Sequence, residues 1–172
     1  MFVILQCSQT SLFVMSKDEQ SFIKEEYTEW LNHIRNTIIQ KNGIQPRNSS
    51  IQGSSTFWSP KPVSMTHGHL QPRNKINIVN NYTVTDKADG VSNLLYVAAN
   101  GKVYLIDNLI QFKYLGLSNT AYANSLFNGE FIEKTKDGLT CSDYMMYDAY
   151  IVKNVSVMDK PLRSIESSVE TR

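Results

Sequence analysis

Two runs of β-forming residues flank an Asn-Gly pair, and this feature constrains the fold more than any other. The segment SNLLYVAANGKVYLIDN, residues 92–108, places Asn100 and Gly101 between stretches rich in Leu, Val and Tyr. Asn-Gly in this setting is the strongest short hairpin signal, because a type I′ turn needs a positive φ at both central residues. The pattern predicts an antiparallel hairpin closed by a type I′ turn.

Further short runs of β-forming residues surround this hairpin. Ile76 and Ile78 alternate with polar residues, as do Tyr82 and Val84. More β-like runs cover residues 111–115, 126–132 and 144–152. Because no helical period interrupts them, we expect an α+β chain whose C-terminal half is a largely antiparallel sheet built from hairpins.

The N-terminal part has the pattern of one amphipathic helix. Ser16 and Glu19 have the spacing of a capping box, in which the serine side chain accepts a hydrogen bond from the first turn. Behind them, apolar residues recur at helical spacing: Phe22, Ile23, Tyr27, Trp30, Leu31, Ile34 and Ile38. The pattern predicts a helix that ends near Gly43 and packs on a sheet or on a neighbouring domain.

Residues 42–75 are rich in Pro, Gly, Ser and Asn, which predicts a long linker or irregular loop joining two units. His67 and His69 lie in it without a third metal ligand nearby in sequence, so a solvated loop is favoured over a metal site.

The predicted division of the chain has four parts. A helix-containing segment (1–45) is a candidate remnant of an upstream domain. An irregular lead-in (46–75), a partial β-rich domain (76–165) and a tail (166–172) follow it.

Composition excludes several classes of protein. A hydrophobic content of 41% permits a packed core. The formal net charge of +1 gives no global electrostatic bias, so any nucleotide or nucleic-acid binding must come from a local site. Cys7 and Cys141 are too few for a disulfide scaffold or a zinc framework, which favours a reducing, intracellular setting.

The first fifteen residues, MFVILQCSQTSLFVM, are apolar but lack a positively charged flank. They are also too short, and too polar in the middle, to span a bilayer. A first β-strand or a remnant of an upstream unit is favoured over a signal anchor, and no membrane association is expected.

Three short motifs follow one another in the β-rich half. Lys87 stands in VTDKADG, at the end of a β-like run and just before an Asp-Gly step. Glu130 stands in LFNGEFI, and Tyr147 and Asp148 stand in YMMYDAYIV. Taken singly, each residue is more often an ordinary solvated or half-buried sheet residue. Their order and spacing are more specific than any one of them.

In this order the motifs resemble those of the covalent nucleotidyltransferases, which comprise mRNA capping guanylyltransferases and polynucleotide ligases. The residue pattern of NYTVTDKADG and of the following hairpin is most similar to that of the guanylyltransferase domain in capping enzymes of large DNA viruses. WSPKPVSMTHGHL resembles the lead-in segment of those domains. The resemblance covers roughly residues 57–165 and implies the sheet of a nucleotidyltransferase domain, ATP-grasp-like in its ligase and capping forms.

The resemblance implies a covalent mechanism. Lys87 would attack the α-phosphate of GTP, release pyrophosphate and pass GMP to a 5′-diphosphate RNA end. Asp89 would orient the active-site loop, and Gly90 would permit its turn. The expected cofactor is Mg²⁺ or Mn²⁺, and the expected nucleotide is GTP.

The resemblance also assigns the acidic and aromatic residues of the later two motifs. Glu130 matches an acidic residue near the nucleotide sugar and is a candidate Mg²⁺ ligand. Tyr147 matches the aromatic residue that stacks on the purine, with Asp148 beside it in the same motif. These nucleotide-binding roles are expectations from the resemblance alone.

Three departures from the family pattern affect these expectations. Ser92 stands where many members carry an arginine, and the nearby Asn93 offers a hydrogen bond without charge. Asn128 stands where the usual residue is Asp. The later motifs, with a further acidic residue and a lysine pair, are not found after Ile151, so we expect a truncated domain with weak or no activity on its own.

Two alternatives remain open at this point: an ATP-dependent polynucleotide ligase that uses the same lysine, and a non-catalytic module of the same fold. The expected partners are the 5′ end of an RNA and a missing C-terminal half or another capping subunit. If the chain is viral, the family implies the host cytoplasm or the virion as its location.

Overall fold

The computed structural model describes residues 13–41, 64–80, 82 and 89–160. Within them one long helix packs on a six-stranded antiparallel sheet, whose strand order is β3-β2-β1-β4-β5-β6. The helix and strands are α1 (Lys17–Lys41), β1 (Val91–Val97), β2 (Lys102–Ile106), β3 (Phe112–Ser118), β4 (Ser125–Lys134), β5 (Thr140–Val152) and β6 (Val155–Ser156). The α+β prediction, with one helix before an antiparallel sheet, is therefore confirmed.

The predicted hairpin is present, but its turn is of a different type. β1 pairs with β2 around the loop that holds Asn100 and Gly101. Only Gly101 of that pair has a positive φ, 83°. The Gly101 N–H donates to the Ala98 carbonyl at 2.9 Å, and the Ala98 N–H donates to the Lys102 carbonyl at 3.0 Å. This is a three-residue loop with glycine in the left-handed position, and the type I′ prediction was wrong.

The α1 helix begins as the capping pattern predicts, since the Glu19 N–H donates to Ser16 Oγ at 3.0 Å. Its last residue, Lys41, is close to the predicted end at Gly43. The buried side chains are Ile23, Tyr27, Leu31 and Ile34. Phe22, predicted on the same face, is instead 63% exposed. It comes directly before the buried Ile23, and one step along a helix turns the side chain by about 100°, so Phe22 points away from the sheet.

Aromatic packing and polar contacts fix α1 across the strands. The Tyr27 ring lies 5.1 Å from the Tyr96 ring, edge to face, and both are fully buried. The Lys102 ammonium at the start of β2 contacts Glu19 at 2.8 Å. The Trp30 indole N–H donates to Asn154, in the turn between β5 and β6, at 2.7 Å. The helix thus packs on the sheet; the division into four segments stays a prediction.

One predicted β-run is wrong. Residues 76–80 form bends instead of a strand. The Asn77 side-chain oxygen accepts hydrogen bonds from the backbone N–H groups of Val79 and Asn80, at 3.1 and 3.2 Å. This local bonding takes the donors that a strand would offer to a neighbour. Val84, which belonged to the same prediction, lies outside the described residues.

The loop that holds His67 and His69 contains a short 3₁₀ helix, His67–Leu70, followed by a turn at residues 72–73. His69 Nδ1 accepts a hydrogen bond from the Thr66 N–H at 3.1 Å, so this imidazole closes the local turn.

Throughout the part of the chain that the structure describes, no helix combines the length and apolarity needed to cross a bilayer.

The two faces of the sheet carry separate apolar clusters. The helix face, packed against α1, includes Leu94, Tyr96 and Leu126. The opposite face carries a smaller cluster to which α1 contributes nothing: Val97, Val103, Phe127, Ala149 and Val157. We call this second side the groove face, because a cavity of about 1160 Å³ lies along it.

A matched pair of leucine substitutions tests this packing. Leu94→Ala removes a side chain with 0% exposure beneath α1 and should lower the free energy of unfolding by about 2–5 kcal/mol. Leu109→Ala truncates a loop side chain that is 75% exposed and should change it by less than about 0.5 kcal/mol. Urea denaturation followed by circular dichroism measures both, and equal losses would contradict the described core.

Candidate functional site

The first motif is only partly within the described residues. Lys87, the candidate nucleophile, lies outside them, so its expected place at the end of a strand stays untested. Asp89 and Gly90 are described; both are exposed and immediately precede β1. The structure therefore locates the end of this motif.

Gly90 lies against the strand that carries the second motif. Its N–H donates to Glu130 Oε2 at 3.1 Å. A Cβ built on Gly90 would lie 2.6 Å from the Phe131 carbonyl oxygen, which is closer than real Cβ atoms approach. Gly90 has no positive φ. The close approach of two backbones, and not the turn expected from the sequence, is what requires glycine here.

Strand register brings the other motif residues to one side of the sheet. Ser92 pairs with Glu130 across β1 and β4, and Asn128 pairs with Asp148 across β4 and β5. Directly paired residues point to the same face, with Cβ atoms about 5 Å apart. Because Leu94, the partner of Asn128 on β1, belongs to the helix face, all four polar residues lie on that face. Ser92 and Glu130 lie beyond the buried residues that α1 covers.

Glu130 is partly exposed and lies in the interior of β4, not at the strand start that its Asn-Gly step suggested. Asn93, which the sequence offered as a substitute donor near Ser92, is 8% exposed and pairs with Gly129 on the groove face. Its side chain therefore belongs to the face opposite Glu130.

Tyr147 occupies an irregular position in β5. Gly129 pairs with Met146 while Asn128 pairs with Asp148, so β5 has one more residue than β4 at this point. Tyr147 is that extra residue, and its side chain is 38% exposed. Bulges bend a strand and redirect a side chain, and they are frequent next to functional sites. Met145 and Met146 beside it are 47% and 57% exposed.

Tyr144 explains why the second motif contains glycine. A Cβ on Gly129 would lie 2.6 Å from Tyr144 Cζ, so the ring lies directly over this glycine. The Tyr144 hydroxyl reaches across β4 and donates to the Asn93 carbonyl at 3.0 Å. Burial raises the pKa of the Tyr144 phenol above its ordinary value, with Tyr147 and Tyr150 adding to the effect. Tyr144 is thus a structural residue.

The structure therefore brings together Gly90, Glu130, Asn128 and Asp148 and places Tyr147 at a bulge beside them. The groove lies on the other face, and none of these five residues lines it. Sequence reasoning missed both the bulge and the packing of Tyr144 on Gly129. Neither leaves a local signal, because both depend on how β4 and β5 are aligned.

The described residues contain no group of three His, Cys, Asp or Glu side chains that could hold a metal ion. Mg²⁺ is usually held by one or two carboxylates together with substrate phosphates and water. The partly exposed Glu130 carboxylate meets that requirement, with Asp148 on the same face of the neighbouring strand. The chemistry of the donors therefore suits a metal that arrives with a nucleotide.

We expect Gly129→Ala to lower the free energy of unfolding by about 1–3 kcal/mol, because the new methyl group meets the Tyr144 ring and the Met145 carbonyl. In a Tyr144→Ala background the same change should cost less, since one of the two obstacles is gone. Gly68→Ala is the control, because its nearest neighbour would lie at 3.4 Å. Additive losses would show that ring and glycine are not in contact.

We also expect the protein to lose stability above pH 10, partly through Tyr144. The raised pKa means that the folded protein retains a phenol proton that the unfolded chain releases near pH 10. This stabilisation is complete below pH 10 and is lost as the pH rises towards the folded-state pKa, with a slope of up to about 1.4 kcal/mol per pH unit.

Tyr144→Phe should make that alkaline slope shallower without abolishing it, because burial also raises the pKa of Tyr27 and Tyr96. Urea unfolding at a series of pH values measures the slope, and parallel curves for wild type and Tyr144→Phe would refute the expectation.

The sequence matches one protein family and one viral protein. Residues 11–170 match the family described as mRNA capping enzyme, catalytic domain. A protein of Acanthamoeba polyphaga mimivirus named "Probable mRNA-capping enzyme" is 29% identical over 150 residues, which cover 86% of this chain. The chain spans about 10% of the length of that relative. The family match covers most of the chain, so the chain belongs to the mRNA capping enzyme catalytic-domain family.

Proposed function

We propose that this member of the mRNA capping enzyme family provides the nucleotide-attacking part of a guanylyltransferase, in which Lys87 becomes covalently linked to GMP. The overall reaction is GTP plus 5′-diphosphate RNA to GpppRNA plus pyrophosphate. Since the chain spans about a tenth of its viral relative, the activity of a longer assembly is part of the proposal.

The hydrogen bond between Gly90 and Glu130 carries this proposal. It joins the Lys-x-Asp-Gly motif to the Asn-Gly-Glu strand at 3.1 Å, although the two residues are 40 positions apart. Lys87 precedes Gly90 by three residues, so covalent geometry limits the distance between their Cα atoms to about 11 Å. The family match and this contact together support one nucleotide site at the start of β1.

In the proposed first step, the neutral Lys87 amine attacks the α-phosphorus of GTP. A nitrogen–phosphorus bond forms, the bond from the α-phosphorus to the bridging oxygen breaks, and pyrophosphate leaves with the electron pair. The amine loses a proton to solvent. In the second step a terminal phosphate oxygen of the RNA attacks the same phosphorus, the nitrogen–phosphorus bond breaks, and the lysine nitrogen takes up a proton.

Lysine is a nucleophile only when it is neutral, and its ordinary pKa is about 10.4. Desolvation or neighbouring cations must therefore favour the neutral amine. The family's later motifs supply a lysine pair for this purpose. We propose that a C-terminal half, or another capping subunit, brings those cations to Lys87.

The described residues have defined roles in this scheme. Asp89 orients the loop before β1, and Gly90 allows that loop to approach β4. Glu130 receives the loop through Gly90 and faces the nucleotide sugar, with Mg²⁺ or Mn²⁺ supplying charge neutralisation of the phosphates when bound. Tyr147 stacks on guanine, a contact that contributes about 1–3 kcal/mol where a base stacks on an aromatic ring. Asp148, the next residue on β5, helps to hold Tyr147 in position.

The RNA partner is a 5′-diphosphate end, and the proposed location follows from capping of viral transcripts in the host cytoplasm or within the virion. Both depend on the covalent step at Lys87, which can be measured directly.

When the purified chain is incubated with Mg²⁺ and α-labelled GTP, we expect the protein to become labelled slowly and to a low extent. The label should be acid-labile and base-stable, as a phosphoamidate is, and peptide mapping should place it on Lys87. Lys87→Ala should abolish it, because no other group replaces the amine. Lys75→Ala, a lysine exposed in the described loop, is the matched control and should label like wild type.

Label from ATP alone would replace the proposal with a ligase. Label that survives Lys87→Ala would remove the lysine from the mechanism. Complete absence of label, from the chain alone and after addition of a C-terminal half of the related viral enzyme, would leave a non-catalytic module of this fold.

A further inference from the structure

β5 carries two neighbouring methionines, Met145 and Met146, on opposite faces of the sheet. Met145 pairs with Glu130 on β4, and Met146 pairs with Gly129. Directly paired residues point to the same face, so Met145 lies on the helix face together with Glu130. Met146 lines the groove on the other face, and Met145 does not. Both side chains are about half exposed.

Met145 lies among the residues of the candidate nucleotide site. Glu130 is directly opposite, so the two Cβ atoms are about 5 Å apart. Ile132, the diagonal neighbour of Met145 on β4, lies against the first motif, since a Cβ on Gly90 would be 3.2 Å from Ile132 Cγ1. Tyr147 follows two residues later on β5, within about 7 Å. Met145 therefore lies between the acidic and the aromatic residue of the site.

The polar residues of this site leave one requirement of a nucleoside unmet. Glu130, Asn128 and Asp148 carry groups that bind hydroxyl groups or a metal ion. Ligand sites also need apolar surface, against which the ring faces of a nucleoside pack. Met145 is not part of the cluster buried beneath α1, so its side chain remains accessible. A thioether is unbranched and polarizable, and it packs well against aromatic rings.

We propose that Met145 is a nucleotide-contacting residue. The ribose of GTP and the adjoining edge of guanine rest on its thioether, between Glu130 and Tyr147. This inference rests on the proposed function, because it adds a contact to the same nucleotide site. It also assigns the nucleotide to the helix face, so that Met146 on the groove face does not touch it.

Methionine oxidation tests this contact, because peroxide converts an accessible thioether to a sulfoxide. The purified chain is oxidised with and without saturating GTP and Mg²⁺, and tandem mass spectrometry measures the sulfoxide at each of the two methionines. We expect the nucleotide to slow the oxidation of Met145 several-fold and to leave that of Met146 unchanged. Met146 is the internal control, since its exposure is similar. Protection requires binding but no transfer, so slow labelling of the chain does not affect the readout.

A second measurement uses equilibrium dialysis with labelled GTP. Met145→Ala should weaken binding several-fold, because the contact is lost, whereas Met145→Leu retains an apolar side chain of similar volume and should bind nearly as wild type does. Met146→Ala is the matched control and should leave GTP binding unchanged. Circular dichroism spectra that match the wild type show that the variants are folded.

Four results would count against the proposal, and they have different meanings. Unchanged oxidation of Met145, in a chain that dialysis shows to bind GTP, would overturn the contact and leave the proposed function standing. Protection of Met146 alone would move the nucleotide to the groove face. Protection of both methionines would indicate a general tightening of the sheet instead of a contact. Absence of GTP binding in the dialysis would refute the proposed function for this chain, and the contact with it.

Discussion

The rest of the structure depends on the pairing of β1 with β4. Seven consecutive residue pairs join these strands, from Val91 with Phe131 to Val97 with Ser125, without a register shift. The pairing of β1 with β2 is regular too but has only four pairs, and the pairings of β2 with β3 and of β4 with β5 contain register shifts. The regular pairing therefore determines which residues lie on each face of the sheet. Leu94 and Tyr96 lie on the face that packs against α1, and Leu95 and Phe127 lie on the groove face. A shift of one residue would exchange the two faces.

The same pairing explains the composition of the candidate site. At one end of the two strands, Ser92 stands opposite Glu130, and Gly90 reaches that carboxylate through its N–H. Asn128, where the family usually has Asp, stands opposite Asp148. Two carboxylates in directly opposite positions repel each other. The amide at position 128 therefore leaves Asp148 without a like charge across the strand, and the negative charge on this face of β4 is concentrated on Glu130.

The sequence was sufficient for elements whose cause is local. The capping serine and the apolar spacing behind it predicted α1, and the Asn-Gly pair predicted the first hairpin. Prediction failed where a local side chain competes with a strand, as at Asn77, and where a glycine serves packing, as at Gly90 and Gly129. The motif residues could be chosen from their order in the chain, but their placement on one face depends on strand register. That register depends on contacts between residues 20 to 38 positions apart, such as Asn128 with Asp148 and Ser92 with Glu130, which no local pattern contains.

The distance in sequence between β1 and β4 also has a consequence for folding. The hairpin of β1 and β2 and its extension to β3 connect residues that are close in sequence, whereas the contact between Gly90 and Glu130 closes a loop of 40 residues. Loop-closure entropy opposes such non-local contacts, and they slow folding relative to local ones. During synthesis, the end of β1 must wait until β4 has left the ribosome before it gains its partner. The candidate site is thus among the parts of the sheet with the highest contact order, and it is completed only after the neighbouring hairpin can form.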